Sequence, residues 1–340
     1  MLRVLELAAL AVVATAVVWK GSEWLEAASQ RLSVHYGLPP VVQGAVVVAV
    51  GSSFPELVSV ILSTAPPPIG AGQFDLGVSA VVGSAVFNLL VIPAASGILG
   101  EGVDASRAIV YKEAQFYMVA VSAVVITFAL AVIYYPVPEN RLVGTVTRPL
   151  AAIPVLLYGV YVFTQYQDTS DFDAPDPGEV DVARQWGWLA LSLIVIAVAV
   201  EGLVEAAVGF GEFFGTPSFL WGLTVIAAGT SLPDTIVSVR AAQDDRGETS
   251  LANVLGSNIF DLLVAVPLGI LIVGAAPVNF GVAVPLLGFL TVATVIVFGF
   301  LRTELTLSAL ESYALLGLYV GFIVWMVLET FGVLGFVPGA

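Results

Sequence analysis

Ten long apolar runs, separated by short polar stretches, leave this chain few places to fold except within a lipid bilayer. They cover residues 4–31, 39–63, 75–98, 106–133, 148–164, 184–212, 217–241, 249–274, 278–301 and 308–334. Each is near or above the roughly 20 apolar residues that cross a hydrocarbon core as a helix. Only 11% of the residues are charged, against roughly 25% in a soluble domain. The first run carries Glu6 early, continues through Trp24 and lacks a small-residue cleavage pattern, so it reads as a retained span and not a signal peptide. The expected fold is an all-α integral membrane protein of about ten transmembrane helices.

The charges that remain are lopsided, with 26 acidic residues against 11 basic and a formal net charge of -15. Nucleic acid, which needs clustered lysine and arginine, is excluded as a partner. With no cysteine and one histidine, His35, disulfide, thiolate and zinc chemistry are excluded too. One stretch, 165–183, holds Asp168, Asp171, Asp173, Asp176, Glu179 and Asp181 with two prolines and no lysine; it reads as a solvated acidic linker. It divides the chain into 1–164 and 184–340, with five spans each. Lysine and arginine favour cytoplasmic loops. An N-terminus outside puts Arg31, Arg107, Lys112, Arg184, Arg240, Arg246 and Arg302 on the cytoplasmic side, against Arg3, Arg141 and Arg148 outside.

The two halves repeat each other. Residues 37–56, GLPPVVQGAVVVAVGSSFPE, align without gaps on 215–234, GTPSFLWGLTVIAAGTSLPD, with eight of twenty identical; 83–90, GSAVFNLL, match 256–263, GSNIFDLL, at five of eight. Two tandem halves with an odd number of spans must sit in opposite orientations. That is the inverted repeat of many secondary transporters, whose binding sites lie at the bilayer midplane between broken helices.

The repeated motifs carry the chemistry. Glu56 and Asp234 fall at membrane depth, where a carboxylate costs about 2.5 kcal/mol or more unless neutralised; a bound cation neutralises it. Each follows a proline, which cannot donate to the carbonyl four residues back, Gly51 or Gly229. Ser52 and Thr230 share the helix face of the acids, with Ser53 and Ser231 beside them. Ser84 with Asn88, and Ser257 with Asp261, are paired at i, i+4. Such an all-oxygen set suits calcium, which takes six to eight oxygen ligands. Glu23 and Glu26, and Glu201 and Glu205 in the second half, where Glu26-Ala27-Ala28 match Glu205-Ala206-Ala207, are open to two readings, ion-path lining or interfacial placement.

GSSFPE with GSAVFN, and GTSLPD with GSNIFD, resemble the alpha-1 and alpha-2 repeats of the calcium/cation antiporter superfamily, most closely archaeal sodium/calcium exchangers. The resemblance implies that Glu56 and Asp234 coordinate calcium and also sodium. It implies that Asn88 and Asp261 form the central polar pair, that Ser84 and Ser257 serve flanking sodium sites, and that Ala49, Ser52, Ala227 and Thr230 supply backbone carbonyls. Asp234 stands where prokaryotic relatives usually carry glutamate and animal exchangers carry aspartate.

The expected function is therefore electrogenic sodium/calcium antiport by alternating access in a prokaryotic cell membrane. The resemblance implies that spans one and six slide over a core of spans two, three, seven and eight. The expected partners are calcium and sodium ions and membrane lipid, with no cofactor, no obligate protein partner and no enzymatic activity. A potassium-dependent or proton-coupled exchanger is the nearest alternative, although the GNxxE-type motif of proton/calcium exchangers is absent. An intramembrane aspartyl protease pairing Asp234 with Asp261 would leave the repeat, Glu56 and Asn88 without a role.

Overall fold

The computed structural model describes residues 2–38, 49–100, 102–107, 109–138, 140–167 and 180–337. The first half comprises α1 (Leu2–His35), α2 (Ala49–Ser52), α3 (Phe54–Thr64), α4 (Phe74–Leu99), α5 (Ala114–Tyr134) and α6 (Arg148–Gln167). The second comprises α7 (Val182–Phe214), α8 (Ser218–Trp221), α9 (Ala227–Thr230), α10 (Leu232–Gln243), α11 (Gly247–Phe260), α12 (Val266–Val273), α13 (Phe280–Glu304) and α14 (Ala309–Thr330). Among the described residues, eight continuous helical stretches are long and apolar enough to cross a membrane; a ninth, Ser218–Thr230 with Leu232–Gln243, bends by 47°. The expected second span is described only from Ala49, and residues 39–48, like 168–179 of the acidic stretch, lie outside the described residues.

The chain also forms short strands that hydropathy does not announce. β1 (Val103–Asp104) pairs with β5 (Thr306–Leu307), while β3 (Asn140–Thr147) pairs with β2 (Pro136–Val137) and with β4 (Ala275–Asn279). The register runs antiparallel from Val143 opposite Asn279 to Thr147 opposite Ala275. Since α5 separates β1 from β2, the two sheets cap opposite ends of the bundle, each joining a loop of the first half to a loop of the second. Gly144 makes the larger sheet possible, because a Cβ there would lie 2.4 Å from the Val132 nitrogen at the end of α5.

Side-chain size sets the packing. In α1 the residues Leu7, Ala14, Gly21 and Ala28, with Val18, Leu25 and Leu32, are buried at three- and four-residue spacing, the pattern of a helix seam with small residues at close contacts. Ala14, Val18 and Leu25 pack on Ile196, Val200, Leu203 and Ala207 of α7 in a cluster that also takes in Val58 of α3, Leu76 and Ala80 of α4 and Ile226. A larger cluster joins α4 and α5 to α11, α13 and α14, with Leu89, Tyr117, Phe128, Leu287 and Phe322 fully buried.

Candidate ion-binding site

Both halves of the repeat break their helices in the same way. Ser53 between α2 and α3 has φ -87 and ψ 5; Ser231 between α9 and α10 has φ -79 and ψ -4, and a proline opens each following helix. Both serines sit in the sparsely populated bridge region. Glu56 and Asp234 occupy the first turn of α3 and α10, where the positive end of the helix dipole favours an anion. The carbonyls of Ala49 and Ala227 point into the breaks, accepting from the Ser53 and Ser231 amides at 2.9 and 3.0 Å. Each also accepts a hydroxyl, from Ser52 at 3.3 Å and from Thr230 at 3.4 Å.

Two helices of the core cross these breaks and tie each half to the other. Ser84 of α4 donates to Glu56 Oε1 at 3.1 Å and shares a hydrogen bond of 2.8 Å with Ser231. Correspondingly, Ser257 of α11 donates to Asp234 Oδ1 at 3.4 Å and lies 3.2 Å from the Ser52 hydroxyl, while Ser53 donates to the Ser257 carbonyl at 3.5 Å. Asn88 Nδ2 reaches across to Asp234 Oδ2 at 3.3 Å. A π-helical turn, Asp261–Ala265, begins at Asp261; Pro267 has no N–H for the Leu263 carbonyl, a usual origin of such a widened turn.

The site is sealed in protein. Glu56 is 1% exposed, and Asp234, Asp261, Asn88, Ser84 and Ser257 are fully buried. Yet Glu56 Oε2, Asn88 Oδ1 and both carboxylate oxygens of Asp261 have no hydrogen-bond partner. None of the three acids forms an ion pair among the described residues, although they lie close enough to repel one another. Buried polar atoms left this way are expensive, and all of these are acceptors, so the complement they lack is positive charge. Among the described residues no three acidic side chains converge tightly enough to hold a metal by themselves; a bound cation here draws on hydroxyl, amide and carbonyl oxygens as well.

The residues of the repeated motifs singled out from the sequence lie at this junction, whereas Glu23 and Glu26 line one peripheral cavity and Glu201 and Glu205 another. Two neighbours were not singled out. Asn258 accepts from Asn88 at 3.2 Å and donates to the Ala85 carbonyl and the Tyr117 hydroxyl at 3.1 and 3.4 Å. Asn253 donates to Asp234 Oδ1 at 3.4 Å and to Ser238 at 3.1 Å; Ser238 reaches the Ser250 carbonyl at 3.4 Å, and Ser250 donates to Ser96 at 3.2 Å. This polar file has no symmetry-related equivalent: the repeat sets Val60, Gly77 and Ala80 of the first half against Ser238, Ser250 and Asn253, and Gly269 of the second half against Ser96. There a Cβ on Gly269 would meet Val60 Cγ1 at 2.6 Å, which is close, dry packing.

The sequence profile of the sodium/calcium exchanger protein family matches residues 6–167 and 184–328. The chain belongs to that family. It is a transporter family, within the calcium/cation antiporter superfamily that the repeated motifs resemble. Among its relatives are the inner membrane protein YrbG of Escherichia coli (strain K12), 26% identical over 270 residues, 78% of this chain and 79% of that one. Human sodium/potassium/calcium exchanger 5 is 25% identical over 333 residues, covering 68% and 63%. The sodium/calcium exchanger MaX1 of Methanosarcina acetivorans is 31% identical over 138 residues, covering 40% and 39%. The fold is that of the sodium-calcium exchanger NCX_Mj. Its structure soaked with 10 mM Na+ and zero Ca2+ superposes with a TM-score of 0.63 at 20% identity, over 94% of this chain and 99% of that one.

Proposed function

We propose that this member of the exchanger family carries calcium against sodium by alternating access, electrogenically, with the N-terminus outside and the two halves arranged as inverted repeats. The observation that carries the reading is the set of buried oxygens without a partner on Glu56, Asn88 and Asp261, beside the hydrogen-bonded carboxylate of Asp234. Glu56, Asp234 and Asp261 supply charge. Asn88, the hydroxyls of Ser52, Ser53, Ser84, Thr230, Ser231 and Ser257, and the carbonyls at Ala49 and Ala227 complete an oxygen shell. Calcium and sodium compete for the same three carboxylates, so a full complement of both ions at once would leave excess positive charge in a low dielectric; exclusive occupancy turns two binding equilibria into exchange.

Two mouths on opposite sides support alternating access. A cavity of about 300 Å³ opens between α7 and α3, against Glu201, Glu205 and Leu62. A tighter one of about 40 Å³ lies between α1 and α10 and reaches Ser52. α1 and α7 pack on each other along one seam and meet α3 and α4 through Val58, Leu76 and Ala80, the surface over which a sliding pair would move. Calcium uptake into sodium-loaded vesicles tests the reading: uptake should follow the outward sodium gradient and shift with membrane potential. Uptake indifferent to sodium refutes it, and dependence on added potassium or a pH gradient selects the potassium-dependent or proton-coupled alternative.

A further inference from the structure

The tight cavity between α1 and α10 holds more chemistry than a passage requires. Trp19, Ser22, Glu23 and Glu26 of α1 line it, with Ser52 at its inner end and Pro233, Ile236, Val237 and Arg240 on α10. Ser22 is only 3% exposed, and its hydroxyl has no hydrogen-bond partner; the indole nitrogen of Trp19 is likewise buried without one. Glu23 is compensated by Lys20 at 2.8 Å. Glu26 is not: its Oε1 accepts the Gln30 amide at 2.9 Å, and its charge lies within reach of both Asp234 and Arg240.

The opposite mouth is built differently. The alignment of Glu26-Ala27-Ala28 on Glu205-Ala206-Ala207 sets Glu201 where the first half has Ser22, and the α3/α10 alignment sets Leu62 where the second half has Arg240. Both Glu201 and Leu62 line the wide mouth. At the aligned positions one mouth therefore carries an additional carboxylate and an aliphatic side chain and the other a hydroxyl and a guanidinium, while Arg3 of the wide mouth pairs with Glu6 at 3.7 Å.

We propose that the cavity between α1 and α10 is a further sodium-binding site, bordering the central cluster at Ser52, in which Glu26 and Ser22 provide the oxygens and Arg240 is a tethered competitor. A volume of about 40 Å³ accommodates a sodium ion with a water molecule, whose share of liquid volume is about 30 Å³. One carboxylate without an ion pair among the described residues, in a cavity that a guanidinium also lines, suits a monovalent ion and not calcium, which gathers several carboxylates in a shell of six to eight oxygens. The guanidinium lowers occupancy at modest sodium without abolishing it, so ions collect on this side only when sodium is abundant. The choice of sodium rests on the exchange reading; the site itself does not.

Trp19 supplies the readout. Sodium titrated into the purified full-length protein at constant ionic strength, with choline as the replaced cation, should give a saturable change in tryptophan fluorescence that Trp19→Phe removes. Ser22→Ala and Glu26→Gln should abolish the change while leaving the protein monodisperse with an unaltered melting temperature. Arg240→Gln should tighten sodium about five-fold, the worth of one partly exposed ion pair. The signal should persist in Glu56→Gln/Asp234→Asn, which has lost the central charges. No signal in the wild type, survival of the signal in Ser22→Ala and Glu26→Gln, or its loss in the central double variant overturns the proposal. Vesicles without sodium-driven calcium uptake, together with an intact Trp19 signal, would overturn the exchange reading and leave this site standing.

Discussion

Gly83 offers a quantitative test of how tightly the candidate site depends on helix spacing. It sits on α4 where that helix crosses the widened turn Gly222–Ile226 and the start of α9; an added Cβ would lie 2.4 Å from the Leu223 carbonyl oxygen, 2.8 Å from Leu223 Cα and 2.9 Å from Ala227 Cβ. Two of those atoms are backbone, so no rotamer relieves the clash. Restoring the 2.4 Å contact to the 3.0 Å that real Cβ atoms respect moves α4 and the α9 segment apart by about 0.6 Å, with an overpacking cost of about 1–3 kcal/mol. The Ser84–Ser231 hydrogen bond spans the same gap; its 2.8 Å lengthens towards about 3.4 Å, at the limit of useful geometry. The Ala227 carbonyl moves with it, whereas ion–ligand distances tolerate about 0.2 Å. Loss of one charge-assisted contact is worth about 1.5 kcal/mol, so Gly83→Ala should raise the half-saturating calcium concentration for vesicle uptake about ten-fold or more while the protein still inserts and purifies. Gly159→Ala and Gly288→Ala, whose added Cβ meets nothing within 4 Å, are the controls. Wild-type calcium affinity in Gly83→Ala would refute the link between helix spacing and ligand geometry.

Glu56→Gln and Asp234→Asn should each abolish sodium-dependent calcium uptake with normal membrane insertion; substantial residual exchange in either would contradict the assigned roles. Asn258→Ala frees the Asn88 amide from one of its two acceptors, and its calcium affinity should fall about five-fold, as for one hydrogen bond of about 1 kcal/mol; an unchanged affinity would mean that Asn88 needs no such anchor. Gly144→Val should lower the melting temperature through its clash with the end of α5 and leave ion affinities intact. A change in affinity there would show that the sheet also tunes the site.

Much of this architecture is legible in the sequence because lipid and repetition write in large letters. Apolar runs fix the helices to within a few residues; α1 runs on from the expected 31 to His35. A site residue is visible when both halves spell it, as with Ser84 and Ser257. Asn258 and Asn253 escape that test because their counterparts are Ala85 and Ala80, so nothing in the alignment marks them as polar positions. Only coordinates reveal that Asn258 donates to the carbonyl of its own counterpart. The strands escape for another reason. The β3 segment NRLVGTVT holds β-branched residues, but its partner Ala275–Asn279 lies more than a hundred residues away, and no local pattern announces so distant a pairing.

Those two small sheets bear on how the molecule can be assembled. The sole covalent connection between the halves runs through residues 165–183, yet β1–β5 and β3–β4 each stitch a first-half segment to a second-half segment at opposite ends of the bundle. The peptide bond in the linker is thus one join among several. Residues 1–170 and 176–340, produced as separate polypeptides in one membrane, should find each other and restore transport. By the same reasoning, breaking both ladders should weaken the association of the split halves, which the shared apolar clusters still hold, while the unbroken chain stays together.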